Sequence, residues 1–284
     1  MAARDSRPVE FTVIIAVYNG ADSLQRCLDS VFVQTWPFVE VVVMDGGSTD
    51  GTVEILQRND QRIAYWESAP DRGIYHAWNK ALEHVSGDWI CFLGADDYFW
   101  QEDVLERLAP HLRDACPPCR VVYGRVALLN AKGEVVHLAG EPWGRVRRKF
   151  RSLMALPHQG VMHHRSLFEA QGGFDESYRI AGDYELLLRE LRNGKAAFVP
   201  DVIVSAMRLG GVSNDPGQSM LLLGEVRRAH HKLLGGRSGW RWWLAWGKVA
   251  VRRLLWRLLG EQRARKALDI ARRGMGQSRY WTRS

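Results

Sequence analysis

The sequence predicts an α/β fold, in which a mixed, mostly parallel sheet has helices on its faces and an amphipathic helical tail follows. Across the first hundred residues, short apolar runs alternate with amphipathic stretches, which is the pattern of repeated strand-helix-strand units. Of the 284 residues, 46% are hydrophobic and 25% are charged, so the chain can build a large core. These values exclude a disordered chain, a collagen and a small disulfide-stapled domain.

The first elements follow from the spacing of apolar residues. Phe11–Val17 is predicted to be a buried strand and residues 21–33 a helix, because the apolar residues of the second segment recur at helical spacing. The next strand, over 39–44, is nearly continuous in valine, as expected when both faces of a strand are covered. The turn and capping residues at 48–50 precede a helix that begins at Thr52.

The remaining elements are predicted in the same way. Strands are expected over 63–66, 89–93, Val121–Leu129, 135–138, 160–163 and 198–208. Helices are expected over 74–83, 101–112, 166–171 and 183–193. Because the regular alternation ends after Asp97, we divide the chain into two halves of one domain, 1–98 and 99–217, and a tail, 218–284.

The location of the protein is predicted from its cysteines and its apolar runs. Four cysteines at irregular positions favour a reducing compartment. The first residues, MAARDSRPVEF, have no apolar core after their arginines, and no run of about 18 uncharged apolar residues is present. We therefore expect a cytoplasmic protein that is neither secreted nor membrane-spanning.

The tail carries most of the positive charge. Residues 227–284 hold sixteen lysines and arginines against Glu261 and Asp269, whereas residues 1–226 hold 23 basic and 30 acidic residues. From 240 to 260, one helical face is apolar: Trp243, Leu244, Ala250, Val251, Leu254, Leu255 and Leu258. Arg241, Lys248 and Arg252 lie opposite. Six of the twelve tryptophans fall in the last 45 residues, which favours a helix on an anionic membrane surface.

Other interpretations of the tail remain open. Its apolar face could pack on the body of the protein or on a second subunit in a homodimer. A non-catalytic protein could instead use the sixteen basic residues to bind nucleic acid. The clean apolar face favours a membrane over a nucleic acid, so we expect no nucleic-acid partner.

Acidic side chains follow several predicted strands. Asp45, Asp71 and the pair Asp96 and Asp97 each come at or just after a strand end. In open α/β sheets, ligands bind outside the carboxyl ends of the strands, so these acids are expected to converge on one crevice. An acidic crevice that holds a phosphorylated ligand needs a cation, and Mg²⁺ or Mn²⁺ suits hard oxygen ligands. One carboxylate of the pair would take the metal and the other a ribose hydroxyl.

Several successive motifs carry a resemblance to a known family. They are VIIAVYNG at 13–20, VMDGGSTDGT at 43–52, DRGIYHAWNK at 71–80, GDWICFLGADD at 87–97, GGFDESY at 172–178 and AGDYE at 181–185. In this order they closely resemble the motifs of glycosyltransferase family 2, over about residues 10–215. The resemblance implies the GT-A fold and an enzyme that transfers a sugar from a nucleotide diphosphate donor, with inversion at the anomeric carbon.

The resemblance also implies roles for individual residues of the donor half. Those implied to bind the nucleotide are Val17, Tyr18, Asn19, Asp45, Arg72 and Asp96. Asp97 is implied to ligate the metal. Because this chain has Ala-Asp-Asp where many relatives have Asp-x-Asp, the choice between the last two aspartates for the metal stays open. Asp45 could instead cap the turn that follows it, and Arg72 could pair with Asp71.

For the acceptor half, the resemblance makes Asp183 the catalytic base, with Asp175 and Glu185 as alternatives. At the start of a predicted helix, Asp183 would be ionised at neutral pH, although a plain capping role is also possible. His158, Gln159 and Asp175 are expected near the acceptor or the donor sugar. The glycine-containing loop at 210–214 is expected to move over the bound donor.

The resemblance implies a glycosyltransferase that adds one sugar, with UDP the favoured donor nucleotide because it is the commoner one in that family. A tail held on the inner face of the cell membrane suggests a lipid-linked saccharide acceptor in surface polysaccharide biosynthesis. The alternative class is a nucleotidyltransferase, but the turn after the first strand, Tyr18 to Asp22, lacks the basic residues of a phosphate loop.

Overall fold

A computed structural model describes residues 7–208, 216–236 and 239–274. Its strands are β1 Phe11–Val17, β2 Val39–Asp45, β3 Tyr65–Ser68, β4 Trp89–Gly94, β5 Tyr98–Phe99, β6 Val121–Leu129, β7 Val135–Ala139, β8 Val161–His164 and β9 Ala197–Arg208. Its helices are α1 Leu24–Phe32, α2 Thr52–Arg58, α3 Ile74–Leu82, α4 Val104–Ala115, α5 Trp143–Phe150, α6 Arg165–Gln171, α7 Gly182–Leu191, α8 Pro216–Leu234 and α9 Trp240–Gly274.

The described strands form a single sheet in the order β3-β2-β1-β4-β8-β6-β9-β5, with β7 paired to β6. The strands β3, β2, β1 and β4 are parallel, whereas β8 runs antiparallel to both of its neighbours. In this parallel part, Val17 pairs with Asp45, and Ala16 pairs with both Met44 and Gly94. The carboxyl ends of three adjacent strands are therefore level with one another.

Helices cover both faces of the sheet. Alternate residues of β1 enter different cores: Val13 and Ile15 join one, and Ile14 joins the other. The first core is shared with α1, α2 and α4, and the second with α3, α5, α6, α7 and α8. Burial of a strand on both faces explains why β1 and β2 are almost continuously apolar.

The predicted α/β class is confirmed, and most elements begin and end within a few residues of their predicted positions. The third strand lies at Tyr65–Ser68 rather than at 63–66, because a short 3₁₀ turn at Asp60–Arg62 comes first and the strand pairs with Val42 onwards. Helix α5 was not predicted, whereas α8 lies in the tail that was predicted to be helical over 218–284. In α5, Val146 and Phe150 are the buried residues, too few for a periodic signal. The division at 98 and 217 stays a prediction.

The tail forms α8 and α9, and α9 is broken at Gly260, where φ is 71°. Helix α9 packs on α8 through Trp242, whose indole N–H donates to the Leu223 carbonyl at 2.9 Å. Arg252, which was predicted to lie with Arg241 and Lys248 opposite the apolar face, is buried and donates to Ser219. The predicted apolar face is exposed instead, with Leu254 55% and Leu258 71% accessible. No helix in the described residues is long and apolar enough to cross a bilayer.

Candidate active site

The loops that follow β1 and β2 are joined by hydrogen bonds at the carboxyl edge of the sheet. The Asn19 amide donates to Ser48 Oγ at 2.7 Å, and the Thr49 amide donates to Asn19 Oδ1 at 3.0 Å. Asn19 has a φ of 49°, a left-handed conformation that asparagine adopts more readily than most residues. Val17 is buried, and its carbonyl accepts from the Gly46 amide, so only its main chain adjoins this edge.

Asp45 ends β2 and organises the turn after it. Its carboxylate accepts from the Gly47 amide at 3.2 Å, the Ser48 amide at 3.0 Å and Ser68 Oγ at 2.5 Å, and it also accepts from the Ser48 hydroxyl. Asp45 is 3% exposed. It therefore has the turn-capping role, and a contact with a nucleotide base stays a prediction.

An aromatic ring and a carboxylate flank Gly46. A Cβ placed on Gly46 would lie 2.9 Å from Asp71 Oδ2 and 3.3 Å from the Tyr18 ring. The Tyr18 side chain is 67% exposed, which is unusual for so large an apolar ring. The three residues make an open surface on which a flat, hydrogen-bonding ring could stack.

Two carboxylates surround the end of β4. Asp96 Oδ1 and Asp97 Oδ2 lie 2.9 and 2.8 Å from the position that a Cβ on Gly94 would take. Asp97 is 3% exposed, and its Oδ1 has no hydrogen-bond partner among the described residues. Burial, and after it the charge of Asp96, raise the pKa of Asp97 to about 8. A buried carboxylate oxygen without a partner, beside a second carboxylate, suits a divalent cation.

Arg72 links the donor half to the acceptor half. Its guanidinium pairs with Glu176 at 2.6 Å, and Glu176 also accepts from the Asn79 amide group at 3.1 Å. Asp71 does not pair with Arg72, since its Oδ1 accepts from the Gly73 amide at 2.7 Å. With 70% of its side chain accessible, Arg72 could reorient toward an anionic ligand.

Asp183 lies in the first turn of α7 and is partly exposed. Its Oδ1 accepts from the Tyr184 amide at 2.7 Å and lies 3.4 Å from the Tyr75 hydroxyl, which donates to the Ile180 carbonyl at 2.7 Å. Burial raises the pKa of Asp183 to about 6, although the bonds from Tyr184 and Tyr75 act to lower it. The effect of burial on the pKa of Asp183 is thus larger than the stabilisation of its ionised form that was expected from the helix N-terminus. The carboxylate is still mostly ionised at neutral pH.

The two alternative bases are occupied by other groups. Lys232 of α8 pairs with Asp175 at 3.0 Å and with Glu185 at 2.9 Å. Glu185 is fully buried and also pairs with Arg189. For Asp175, burial acts to raise the pKa, but hydrogen bonds from Ser177 and Lys232 outweigh it and the pKa falls to about 2. With a pKa of about 2, Asp175 is not suited to take a proton near neutral pH, and Glu185 is buried within its ion pairs with Lys232 and Arg189.

His158 lies in the second core rather than on the site surface. Its ring is 7% exposed and stacks against Trp78 and Phe92, with centroids 5.3 and 5.8 Å apart. Burial lowers the pKa of His158 to about 4, so the imidazole is neutral. Gln159 is partly exposed, and its carbonyl accepts from Ser205. Contacts of either residue with a sugar stay predictions, and the loop at 210–214 lies outside the described residues.

Substitution of Gly182 by alanine is expected to destabilise this region. An added Cβ would lie 2.7 Å from the Tyr75 ring, which packs directly against Gly182. Because the ring is buried, we expect Gly182→Ala to cost about 1–3 kcal/mol of unfolding free energy. Chemical denaturation measures this loss. Gly144→Ala in α5, where a Cβ meets nothing within 4 Å, is the matched control and should be no less stable than the wild type, because alanine favours a helix more than glycine. Equal stability of the two variants would contradict the packing described.

Some residues of this region carry no signal in the sequence motifs. Glu225 and Lys232 lie on α8 and reach the segment around Asp183 only through the fold. The sequence does contain one signal for Glu225: it is a single acidic residue in the apolar segment LLLGEV, a position that indicates a buried, hydrogen-bonded carboxylate.

The order of the strands, with helices on both faces of the sheet, is that of a GT-A-type domain, and an acidic pair follows β4. The model of "Glycosyl transferase family 2" matches residues 12–166. A PGL/p-HBAD biosynthesis glycosyltransferase of Mycobacterium bovis is 31% identical over 213 residues, which span 72% of this chain and 79% of that protein. The chain therefore belongs to glycosyl transferase family 2.

Solved structures share the fold. The mannosyltransferase PcManGT from Pyrobaculum calidifontis, in complex with GDP-Man and Mn²⁺, aligns with a TM-score of 0.60 and 20% identity over 94% of this chain and 82% of that chain. TarS from S. aureus, in complex with UDP-GlcNAc, aligns with a TM-score of 0.60 and 18% identity over 78% of this chain and 66% of that chain.

Proposed function

We propose that this protein transfers one sugar, with inversion, from a nucleotide diphosphate donor to a lipid-linked saccharide acceptor. One observation supports a binding site for the donor: Tyr18, Asp45, Asp96 and Asp97 lie at the ends of three adjacent parallel strands. UDP is the favoured nucleotide. GDP is the second candidate, because the similar structures include complexes of both UDP-GlcNAc and GDP-Man.

Asp97, with Asp96 beside it, is the proposed holder of Mn²⁺ or Mg²⁺. The partnerless Oδ1 of Asp97 and its raised pKa support this assignment, since a carboxylate in such a place gains most from a nearby cation. A divalent ion bound there would neutralise charge on the leaving diphosphate. Asp96, which is exposed, is the proposed ribose ligand.

Asp183 is the proposed base. In an inverting transfer, the acceptor hydroxyl attacks the anomeric carbon from the side opposite the diphosphate, and its proton must be removed. Asp183 is partly exposed, mostly ionised near neutral pH and basic enough to accept that proton. The engagement of Asp175 and Glu185 by Lys232 supports the choice of Asp183.

Transfer itself is the test of the proposal. The purified protein is incubated with labelled UDP- and GDP-sugars, Mn²⁺ and a bacterial lipid extract, and organic-soluble product is counted. We expect one donor to label the lipid fraction, with the new linkage of opposite anomeric configuration to the donor by NMR. A retained configuration, or no product with any donor, would contradict the proposal.

The exposed face of α9 is the proposed membrane contact, on the cytoplasmic side of the cell membrane. Trp243, Leu244, Val251, Leu254 and Leu258 are each more than half exposed, and Lys248, Arg253 and Arg257 are exposed on the same helix. Aromatic and aliphatic groups can enter the lipid boundary while the cations remain with anionic headgroups. The same exposed face could serve a homodimer.

Vesicle binding separates these two uses of α9. We expect co-sedimentation with vesicles containing phosphatidylserine, and about ten-fold weaker binding by Trp243→Ala with Leu254→Ala, because apolar area is lost from the lipid contact. Val33→Ala removes an equally exposed apolar group just after α1 and is the control. Binding that is unchanged in the double variant, or a dimer in light scattering that the double variant abolishes, would overturn the membrane assignment.

A further inference from the structure

Helix α8 carries a buried glutamate that bonds to the segment before α7. Glu225 is 7% exposed. Its Oε1 accepts from the Arg179 amide at 2.8 Å, and its Oε2 accepts from the amides of Ile180 and Ala181, both at 2.9 Å. Three consecutive main-chain N–H groups thus share one carboxylate, contributed from 44 to 46 residues away.

These three amides lead directly into the first turn of α7. The N-cap residue of this helix is Ala181, whose side chain cannot accept a hydrogen bond, and Asp183 follows two residues later. The amides at a helix N-terminus need acceptors, which a capping side chain usually provides locally. Of the three amides that donate to Glu225, only that of Ala181 belongs to this N-terminus, and those of Arg179 and Ile180 lie in the segment before it. All three bonds are charge-assisted, which makes them stronger than neutral ones.

A second contact fixes α8 to the same region. Lys232 lies seven residues after Glu225, so both residues are on one face of the helix. Lys232 pairs with Asp175 and with Glu185, which lie before and after Asp183 in the chain. The face of α8 is therefore anchored on both sides of the proposed base. This helix, like Asp183 itself, lies outside residues 12–166, which the family model matches.

We propose that Glu225 is a positioning residue for Asp183, so that α8 supports the active site from outside the sheet. The inference rests on the proposed function, in which Asp183 removes the acceptor proton. Glu225 acts by holding the chain from Arg179 to Ala181, and it does not touch the reacting atoms.

The position of Glu225 also has an electrostatic consequence. The Tyr75 hydroxyl of α3 and the Tyr184 amide of α7 lie within hydrogen-bond distance of Asp183 Oδ1, whereas the Glu225 carboxylate of α8 acts on Asp183 only through its charge. The charge of Glu225 contributes, after burial, to the raised pKa of Asp183. Removal of that charge lowers the pKa of the base, so the acidic limb of the pH profile moves to lower pH.

Two variants separate geometry from charge. Glu225→Gln removes the charge and leaves one accepting oxygen for three amides. Glu225→Asp keeps the charge but is one methylene shorter, so it cannot reach all three amides from the same backbone position. Leu221→Ala, at an exposed position of α8, is the control. For each variant, kcat, the donor KM and the pH profile of transfer are measured, together with hydrogen exchange of the Ile180 and Ala181 amides.

We expect kcat to fall at least about 10-fold in both Glu225 variants with donor KM little changed, because a small displacement of a base has a large effect. The acidic limb should move to lower pH only in Glu225→Gln, and both amides should exchange faster in both variants. Unchanged exchange, or wild-type kcat in a folded Glu225 variant, would overturn the inference. A wild type without transfer, or an active Asp183→Asn, would instead refute the proposed function. If the acidic limb of the pH profile did not move in Glu225→Gln, the expected effect of the Glu225 charge on the pKa of Asp183 would be contradicted.

Discussion

Replacement of Asp183 by asparagine is expected to abolish sugar transfer while donor binding persists. The amide cannot accept the acceptor proton, and loss of a general base typically costs about 10² to 10⁴ in rate. Asparagine is close in size to aspartate, and its carbonyl can still accept from the Tyr184 amide, so α7 should be retained. The measurement is kcat for transfer beside the calorimetric affinity for the donor nucleotide.

The pH profile of the wild type is part of the same prediction. The raised pKa of about 6 means that Asp183 is protonated, and inactive as a base, below that pH. The rate of transfer should therefore rise as the pH increases through about 6 and then level off. Donor affinity measured across the same pH range tests whether protonation of the donor diphosphate, rather than of Asp183, causes the change. Asp201→Asn, at an exposed position of β9, is the control and should keep both rate and profile. A transfer-competent Asp183→Asn variant would contradict the assignment.

Replacement of Asp97 by asparagine is expected to remove the metal dependence of donor binding and almost all transfer. Asp97 Oδ1 is a buried acceptor without a partner in the described structure, and an amide in its place offers a divalent cation no charge. The loss should reach about 10²-fold in rate or more, as for removal of one strong electrostatic contact to a developing charge. Transfer is measured across a series of Mn²⁺ concentrations.

Stability gives a second readout for Asp97. In metal-free buffer at neutral pH, a pKa of about 8 leaves the Asp97 carboxyl largely protonated, so Asp97→Asn exchanges one neutral group for another of similar size and the melting temperature should not fall. Asp96→Asn is the matched comparison, because Asp96 is exposed and adjacent. If Asp96→Asn abolished the Mn²⁺ dependence and Asp97→Asn did not, the roles of the two aspartates would be exchanged.

The donor side of the site could be predicted from the sequence because it depends on local features. The nearly continuous apolar run of β2 predicts a parallel strand covered on both faces, and such strands bring their carboxyl ends to one edge. Asp45 and the pair at 96 and 97 then lie at that edge without any knowledge of loop geometry. The parallel registers of β1 with β2 and β4 are in accord with this reasoning.

The surroundings of His158 and Glu225 and the packing of α9 depend on contacts between distant parts of the chain. His158 lies in the core because Trp78 of α3 and Phe92 of β4 pack on its ring, and neither contact can be inferred from the residues beside it. The same holds for Glu225, whose partners are more than forty residues away. For α9, periodicity identifies an apolar face, but Trp242 and Arg252 show that a different side packs on the body.

Binding of a nucleotide diphosphate by the wild type is the most direct test of the central claim, that the carboxyl edge of β1, β2 and β4 is a donor site. The purified protein is titrated with UDP, GDP, CDP and dTDP by calorimetry, with and without Mn²⁺. We expect one nucleotide to bind tightly only when Mn²⁺ is present. Failure of all four to bind a protein shown to be folded would contradict the account.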